Sequence, residues 1–105
     1  MRILVLNWMD IKNPNRGGAE LYIWETCKRL VKGGNKVTLL TSKFKLCKER
    51  EFIDGIDIIR LGSIITFFIR AFYWTKSNEN GFDLFIETIN GPPFMLPMIL
   101  YIHPV

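Results

Sequence analysis

The sequence predicts an α/β fold with a mostly parallel sheet of about five strands, joined by crossover helices. Two observations support this prediction: apolar runs of strand length, and an amphipathic segment between the first two runs. These runs are residues 2–8 (RILVLNW) and 36–41 (KVTLLT), and such runs are typical of parallel strands covered on both faces. Strand, helix and strand within about 40 residues form a βαβ unit, whose crossover is right-handed in nearly all proteins.

The segment between the two runs has helical periodicity. It begins after Gly17-Gly18 and ends at Gly33-Gly34, because glycine is common where helices stop. Acidic residues lead and basic residues trail, an order that the helix dipole favours. One face is apolar and consists of Ala19, Tyr22, Ile23, Cys27, Leu30 and Val31.

The later strands are predicted from shorter apolar runs and from turn signals between them. Asp54-Gly55 is typical of a hairpin turn, and it follows a short ribbon strand. Asn90-Gly91-Pro92-Pro93 is predicted to form the turn before the last strand. The predicted strands are residues 51–53, 56–61, 83–89 and 98–103.

A second helix is predicted over residues 64–76, with Ser63 as its N-cap. Its apolar side chains surround most of its circumference. It therefore either packs on the sheet as a core helix or presents a face to a second domain or a membrane surface. In the membrane alternative, Arg70 and Lys76 would lie near lipid headgroups. Both alternatives can hold on different sides of the helix.

The composition bounds the class of protein. The 105 residues allow one domain at most, and a hydrophobic share of 49% excludes a disordered chain. The net charge of +4 suits an anionic partner such as a phosphate, a nucleotide or an acidic membrane surface. A basic cluster at residues 43–50 is interpreted as a solvated loop. No nucleic-acid partner is expected, because the basic residues show no aromatic interleaving on a recognisable module.

Cysteine usage and hydropathy indicate the compartment. Cys27 and Cys47 have no neighbouring cysteine or histidine at metal-site spacing, so we expect reduced thiols and no metal. The first apolar run is too short for a signal peptide, and no stretch reaches the roughly 18 apolar residues of a membrane span. The expected location is the cytoplasm, either soluble or peripheral at a membrane.

The most informative local feature is the glycine turn that precedes the first helix. The first N–H groups of a helix have no intrahelical partner, and the helix dipole adds positive charge there. Gly17 and Gly18 remove the Cβ atoms that would keep a phosphate away from these amides. The turn is predicted to recognise an anion, with Arg16 as a charged helper. The alternative is a tight turn without a ligand.

Several segments together support a family resemblance. In their order and spacing they resemble the N-terminal signature of family 4 glycosyltransferases of the GT-B fold, over essentially the whole chain. The segments are residues 1–6, Arg16-Gly17-Gly18-Ala19-Glu20, residues 29–41, Asp54-Gly55-Ile56 with Arg60, Phe82-Asp83-Leu84, Asn90-Gly91-Pro92-Pro93-Phe94 and His103.

The resemblance implies a retaining transferase of hexosyltransferase type that needs no cofactor. Its partners would be a nucleotide-sugar donor and a sugar or lipid-linked acceptor. Gly17 and Gly18, with Arg16, would bind the donor phosphates, and His103 would be the candidate catalytic residue at the cleft. Glu20 and Asn90 are the expected acceptor or cleft residues. Their alternatives are structural, since Glu20 suits the helix N-terminus, Asn90 suits the turn, and His103 can be a strand-end residue without a partner.

The chain departs from the family in length. Residues 1–105 would be the N-terminal, acceptor-side part of a Rossmann-like domain, without the C-terminal domain that binds the donor. We therefore expect the isolated chain to be inactive and to need its missing half or a homo-oligomer. The competing hypothesis is a non-catalytic Rossmann-like module that binds a phosphate or nucleotide, or docks on a partner. A nicotinamide-dependent oxidoreductase is disfavoured because the Gly-x-Gly-x-x-Gly fingerprint is absent.

Overall fold

The computed structural model describes residues 1–63, 65–88 and 99–104. These residues form an α/β structure in which one mixed, mostly parallel sheet is covered by two α-helices. The strands are β1 (Arg2–Leu6), β2 (Lys36–Thr41), β3 (Arg50–Ile53), β4 (Ile56–Arg60), β5 (Leu84–Thr88) and β6 (Ile99–Pro104). The helices are α1 (Gly18–Lys32) and α2 (Phe67–Asn78), and a short 3-10 helix (Glu79–Gly81) follows α2.

The sheet has the strand order β3-β4-β2-β1-β5-β6. Its centre is parallel, since β1 pairs with β2 and β5, and β2 pairs with β4. Both edges are antiparallel, because β3 pairs with β4 and β6 pairs with β5. The prediction of a mostly parallel α/β sheet is confirmed. Six strands are present rather than about five, because the predicted ribbon pairs with β4 along its whole length.

The two faces of the sheet hold separate cores. Alternate residues of the central strands point to opposite faces, as a pleated sheet requires. One core lies under α1 and includes Ile3, Val37, Ile58 and Trp24. The other lies under α2 and includes Leu4, Leu40, Phe85 and Phe67.

The βαβ unit and the hairpin turn are confirmed, with local differences. Asp54 and Gly55 both have positive φ, at 53° and 82°, as a two-residue hairpin turn of the favoured hand requires. In α1 the predicted apolar face is shifted, because Trp24 is buried while Tyr22 is 53% exposed. The shift follows from the sheet, which contacts the Ile23–Cys27 side of the helix.

The predicted start of the second helix is wrong by three residues. The helix begins at Phe67, its N-cap is Thr66, and neither Ser63 nor Thr66 caps it through a side chain. Instead, the Ser63 and Thr66 hydroxyl groups accept hydrogen bonds from backbone N–H groups of the connection that precedes the helix. The Ser63 N–H donates to Thr66 Oγ1 at 2.9 Å, and the Thr66 N–H donates to Ser63 Oγ at 3.3 Å. Within the described residues, no helix is long and apolar enough to cross a bilayer.

Candidate functional site

Polar side chains gather where the parallel strands β1, β2 and β4 end. Asn7 follows β1, Thr41 ends β2 and Arg60 ends β4. Thr41 pairs in register with Arg60, and Leu6 pairs with Leu40, so the three polar residues form one row across adjacent strands. All three are at most 1% exposed. The apolar α1-side core therefore ends in a buried polar layer at the carboxyl edge of the sheet.

This layer contains a buried ion pair between Arg60 and Asp10. Arg60 Nε donates to Asp10 Oδ2 at 2.8 Å, and Arg60 Nη2 donates to Asp10 Oδ1 at 3.2 Å. Both side chains are fully buried. Burial alone would lower the pKa of Arg60, but the hydrogen bonds that Arg60 donates to Asp10 and Glu51 outweigh it and raise that pKa. The pair thus joins the loop after β1 to the end of β4, 50 residues away in the sequence.

Further contacts complete the surroundings of the guanidinium. Arg60 Nη1 donates to Glu51 Oε1 at 2.6 Å and to the Lys48 carbonyl at 2.9 Å. The Phe44 ring lies 4.9 Å from the guanidinium carbon, in cation–π geometry. Lys12 Nζ lies 3.1 Å from Glu51 Oε2. The hydrogen bond from Arg60, followed by that from Lys12, lowers the pKa of Glu51.

The loop between β1 and α1 is fixed by its own side chains. Asp10 Oδ1 accepts the Lys12 N–H at 2.8 Å, and the buried Asn13 accepts the Asn15 N–H at 2.9 Å. The Asn13 carbonyl accepts the Arg16 N–H at 3.0 Å. These Asx-type turns are frequent where a chain reverses without regular structure. They lead the chain from the buried ion pair to the glycine turn on the surface.

The glycine turn is exposed, and the fold does not require glycine there. Arg16, Gly17 and Gly18 all lie on the surface. Gly17 has extended backbone, with φ of −121°, and neither glycine has positive φ. A Cβ on Gly18 would meet no atom within 4 Å, and one on Gly17 would lie 3.9 Å from Glu20 Oε1. No described neighbour excludes a side chain at either position.

Glu20 lies beneath the turn and faces the interior. Its side chain is buried, and its Oε1 accepts the Gly17 N–H at 2.8 Å. Its Oε2 accepts a hydrogen bond from Asn7 Nδ2 at 3.3 Å. A carboxylate that binds back to the N-cap amide from the third helical position is one half of a capping box. Glu20 therefore links α1 to the buried polar layer, and its predicted contact with an acceptor remains a prediction.

The strand that carries His103 does not bring it to the turn. His103 lies in β6 and pairs in register with Phe85 of β5. Because β6 is antiparallel to β5, its carboxyl end points away from the edge at which Gly17 and Gly18 lie. The catalytic role of His103 remains a prediction that this strand direction does not favour. Asn90 lies outside the described residues.

The sequence interpretation missed the Asp10–Arg60 pair as a pair. A signal was present in β4, where the inward positions Ile56 and Ile58 are followed two residues later by Arg60. A charge on the buried face of a strand needs an opposite charge nearby. Asp10 was one of several acidic residues, and only the fold identifies it as the partner.

Comparisons with known proteins do not identify a family for this chain. No family model matches the chain, and no curated protein matches it. Among the residues that the structure describes, no three His, Cys, Asp or Glu side chains are grouped as metal ligands would be.

Proposed function

We propose that this chain is the acceptor-side, Rossmann-like part of a retaining glycosyltransferase, and that its Gly17-Gly18 turn binds the phosphates of a nucleotide-sugar donor. The main support is the exposed glycine turn at the carboxyl edge of a mostly parallel sheet, which is where open α/β sheets bind ligands. Sugar transfer would require a second half that binds the rest of the donor. The chain alone is expected to bind without transferring.

Gly18 supports ligand binding because its described surroundings give no other reason for a glycine, whereas Gly17 is the N-cap of α1, a position at which glycine is common. Their backbone angles suit any residue, and the space around Gly18 is open. Alanine in a helix is more favourable than glycine by about 1 kcal/mol, less at the first positions. A glycine at such a place lets a ligand approach the backbone closely, because no Cβ shields the amides. A phosphate at a helix N-terminus is such a ligand.

The electrostatics of the turn favour an anion of modest affinity. The N–H groups of Gly18 and Ala19 precede the first intrahelical hydrogen bond and point out of the helix end. The exposed Arg16 can add a charged hydrogen bond. The buried Glu20 carboxylate already takes the Gly17 N–H and offsets part of the positive potential. A turn with this charge balance forms only one side of a cleft, so it should bind the anion weakly. A second domain on the other side of the cleft should raise the affinity.

The proposal is tested by titrating the full chain with UDP-glucose and with GDP-mannose, followed by amide chemical shifts. We expect shifts concentrated on residues 17–20. Gly18→Val places a side chain in open space and should abolish these shifts while the remaining spectrum stays unchanged. Gly81→Val is the matched control, because a Cβ there also meets nothing and Gly81 lies at the other end of the sheet. Unchanged amide chemical shifts at residues 17–20, or equal binding by Gly18→Val, would overturn the proposal.

The second candidate function is a non-catalytic module that binds a phosphate or nucleotide at the same turn. The direction of β6 favours it, since the strand does not carry His103 to the carboxyl edge. A titration with inorganic pyrophosphate distinguishes the non-catalytic module from the transferase. Equal shifts with pyrophosphate and with the nucleotide-sugars would favour the module, whereas stronger binding of one sugar nucleotide would favour the transferase.

A cytoplasmic location is part of the proposal. Cys27 and Cys47 are both free thiols, in keeping with a reducing compartment.

A further inference from the structure

Four charged side chains join the loop between β1 and α1 to the β3-β4 hairpin. We call them the Arg60 network: Asp10 and Lys12 lie on the loop, and Glu51 and Arg60 lie on the hairpin. Arg60 makes two hydrogen bonds to Asp10, at 2.8 and 3.2 Å, and one to Glu51, at 2.6 Å. Lys12 Nζ lies 3.1 Å from the other oxygen of Glu51. The loop is therefore held at two points by residues 39 and 50 positions away in the sequence.

The Asp10 end of the Arg60 network also organises the loop backbone. Asp10 Oδ1, which accepts the bond from Arg60 Nη2, accepts the Lys12 N–H at 2.8 Å as well. The Asp10 carbonyl accepts the Asn13 N–H at 3.1 Å. A carboxylate that binds its own backbone two residues later stabilises a turn. By holding the Asp10 carboxylate, Arg60 thus fixes the first turn of the loop.

The ordered loop backbone leads on to Arg16. Asn13 is buried, and its carbonyl accepts the Arg16 N–H at 3.0 Å. Arg16 Nη1 lies 3.5 Å from the same carbonyl, so both the backbone and the side chain of Arg16 contact Asn13. Arg16 is exposed, and burial does not fix its position. Its position depends on hydrogen bonds that connect it to Arg60 through the loop.

The glycines of the turn are held from the other side. The Gly17 N–H donates to Glu20 of α1 at 2.8 Å. The helix itself packs on the sheet through Ile23 and Trp24. Packing of α1 therefore sets the position of the turn amides, whereas the Arg60 network sets the position of Arg16. A site that uses both needs both supports.

Such order affects binding because a ligand has to supply any order that the free protein lacks. When only a fraction of the molecules hold the binding geometry, the apparent affinity is reduced by that fraction. A charged hydrogen bond from a positioned arginine also loses less entropy than one from a freely moving side chain. Loss of the loop geometry should therefore weaken an anion at the turn, although the turn amides stay in place.

We propose that Arg60 is a positioning residue for the anion site, because through Asp10 it holds Arg16 beside the glycine turn before a ligand binds. The Arg60 side chain is fully buried, so it acts without touching the ligand. The proposal rests on the proposed function, since it requires that the turn bind an anion.

The double variant Arg60→Met/Asp10→Leu tests the proposal. It removes the pair without leaving a buried charge behind, so it should regain much of the stability that Arg60→Met alone loses. In the free chain, the amide hydrogens of Asn13 and Arg16 should nevertheless exchange at least about tenfold faster, relative to those of β2. UDP-glucose should bind about fivefold more weakly. A role confined to stability would instead restore the affinity together with the urea midpoint.

Arg50→Met is the matched control. Arg50 makes a bidentate pair with Asp57 inside the same hairpin, on its exposed side. This variant should leave the exchange rates of Asn13 and Arg16 and the UDP-glucose affinity unchanged. Equal changes in Arg50→Met and in the double variant would contradict the positioning role.

Arg60→Lys keeps the test valid if the double variant does not fold. Lysine retains the charge but has no planar fork to make both bonds to Asp10. The Arg16 amide should therefore also exchange faster in Arg60→Lys, and the wild-type rate there would overturn the proposal.

The positioning role and the proposed function fail in different ways. Wild-type exchange at Asn13 and Arg16 in the double variant would overturn the positioning role alone. Faster exchange with unchanged UDP-glucose affinity would overturn it too. If the wild-type chain does not bind UDP-glucose, the proposed function of the turn is wrong, and the positioning role falls with it.

Discussion

Among the residues that the structure describes, the ion pair between Asp10 and Arg60 is fully buried on both sides, and its loss should cost much of the protein's stability. Arg60→Met leaves the Asp10 carboxylate fully buried without its charged partner. Breaking a buried pair in this way costs about 3–5 kcal/mol. A domain of this size has about 5–15 kcal/mol of total stability, so the loss is a large fraction of it.

An exposed pair of the same chemistry provides the control. Arg50 Nη2 lies 2.6 Å from Asp57 Oδ2, and Arg50 Nε donates to Asp57 Oδ1 at 3.1 Å, so this pair is also bidentate. The Arg50 side chain is 69% exposed and that of Asp57 is 25% exposed. Solvent screens such a pair, and Arg50→Met should cost only about 0–1 kcal/mol.

Urea unfolding measures the difference. With a slope of about 1–3 kcal/mol per molar, Arg60→Met should lower the midpoint by at least about 1 M, and Arg50→Met by much less. Adding Asp10→Leu to Arg60→Met should restore much of the lost stability, because no unpaired charge then remains at Asp10. If Arg60→Met and Arg50→Met shift the midpoint equally, the buried pair does not hold the loop in place.

Three further outcomes follow from other contacts. Hydrogen bonds from arginines lower the pKa of both Glu51 and Asp83 in the folded state, so their stabilisation is present at neutral pH and is lost as the pH falls through the lowered pKa values. The urea midpoint should therefore fall on acidification, and a flat profile between pH 7 and pH 3 would contradict this. Burial raises the pKa of Cys27 to about 12. Its thiol should therefore react with a disulfide reagent at pH 8 only after the protein unfolds. Fast reaction in the native protein would show that α1 opens readily. Gly55→Ala should cost about 1–3 kcal/mol in urea unfolding, since φ is 82° and the new Cβ would lie 2.6 Å from a valine methyl of α1. Gly34→Ala is the control, because Gly34 also has a positive φ, of 92°, but a Cβ there would meet no atom within 4 Å. If both variants lose the same stability, the contact with the valine does not contribute to the loss.

The parts of the fold that the sequence predicted depend on local signals. The β1-α1-β2 unit is predictable from the sequence because apolar runs of strand length flank a segment with helical periodicity. The Asp54-Gly55 turn was readable because both of its residues tolerate positive φ, which this hairpin geometry requires. In each case the information lies within a few residues of the element that it determines.

The parts that the sequence did not predict depend on contacts between distant residues. No local signal pairs Asp10 with Arg60, since the two meet only when β4 takes its place beside β2. The direction of β6 relative to β5 is likewise set by pairing and not by composition. The candidate site was therefore predicted at the turn, which is local, and not in the polar layer beneath it.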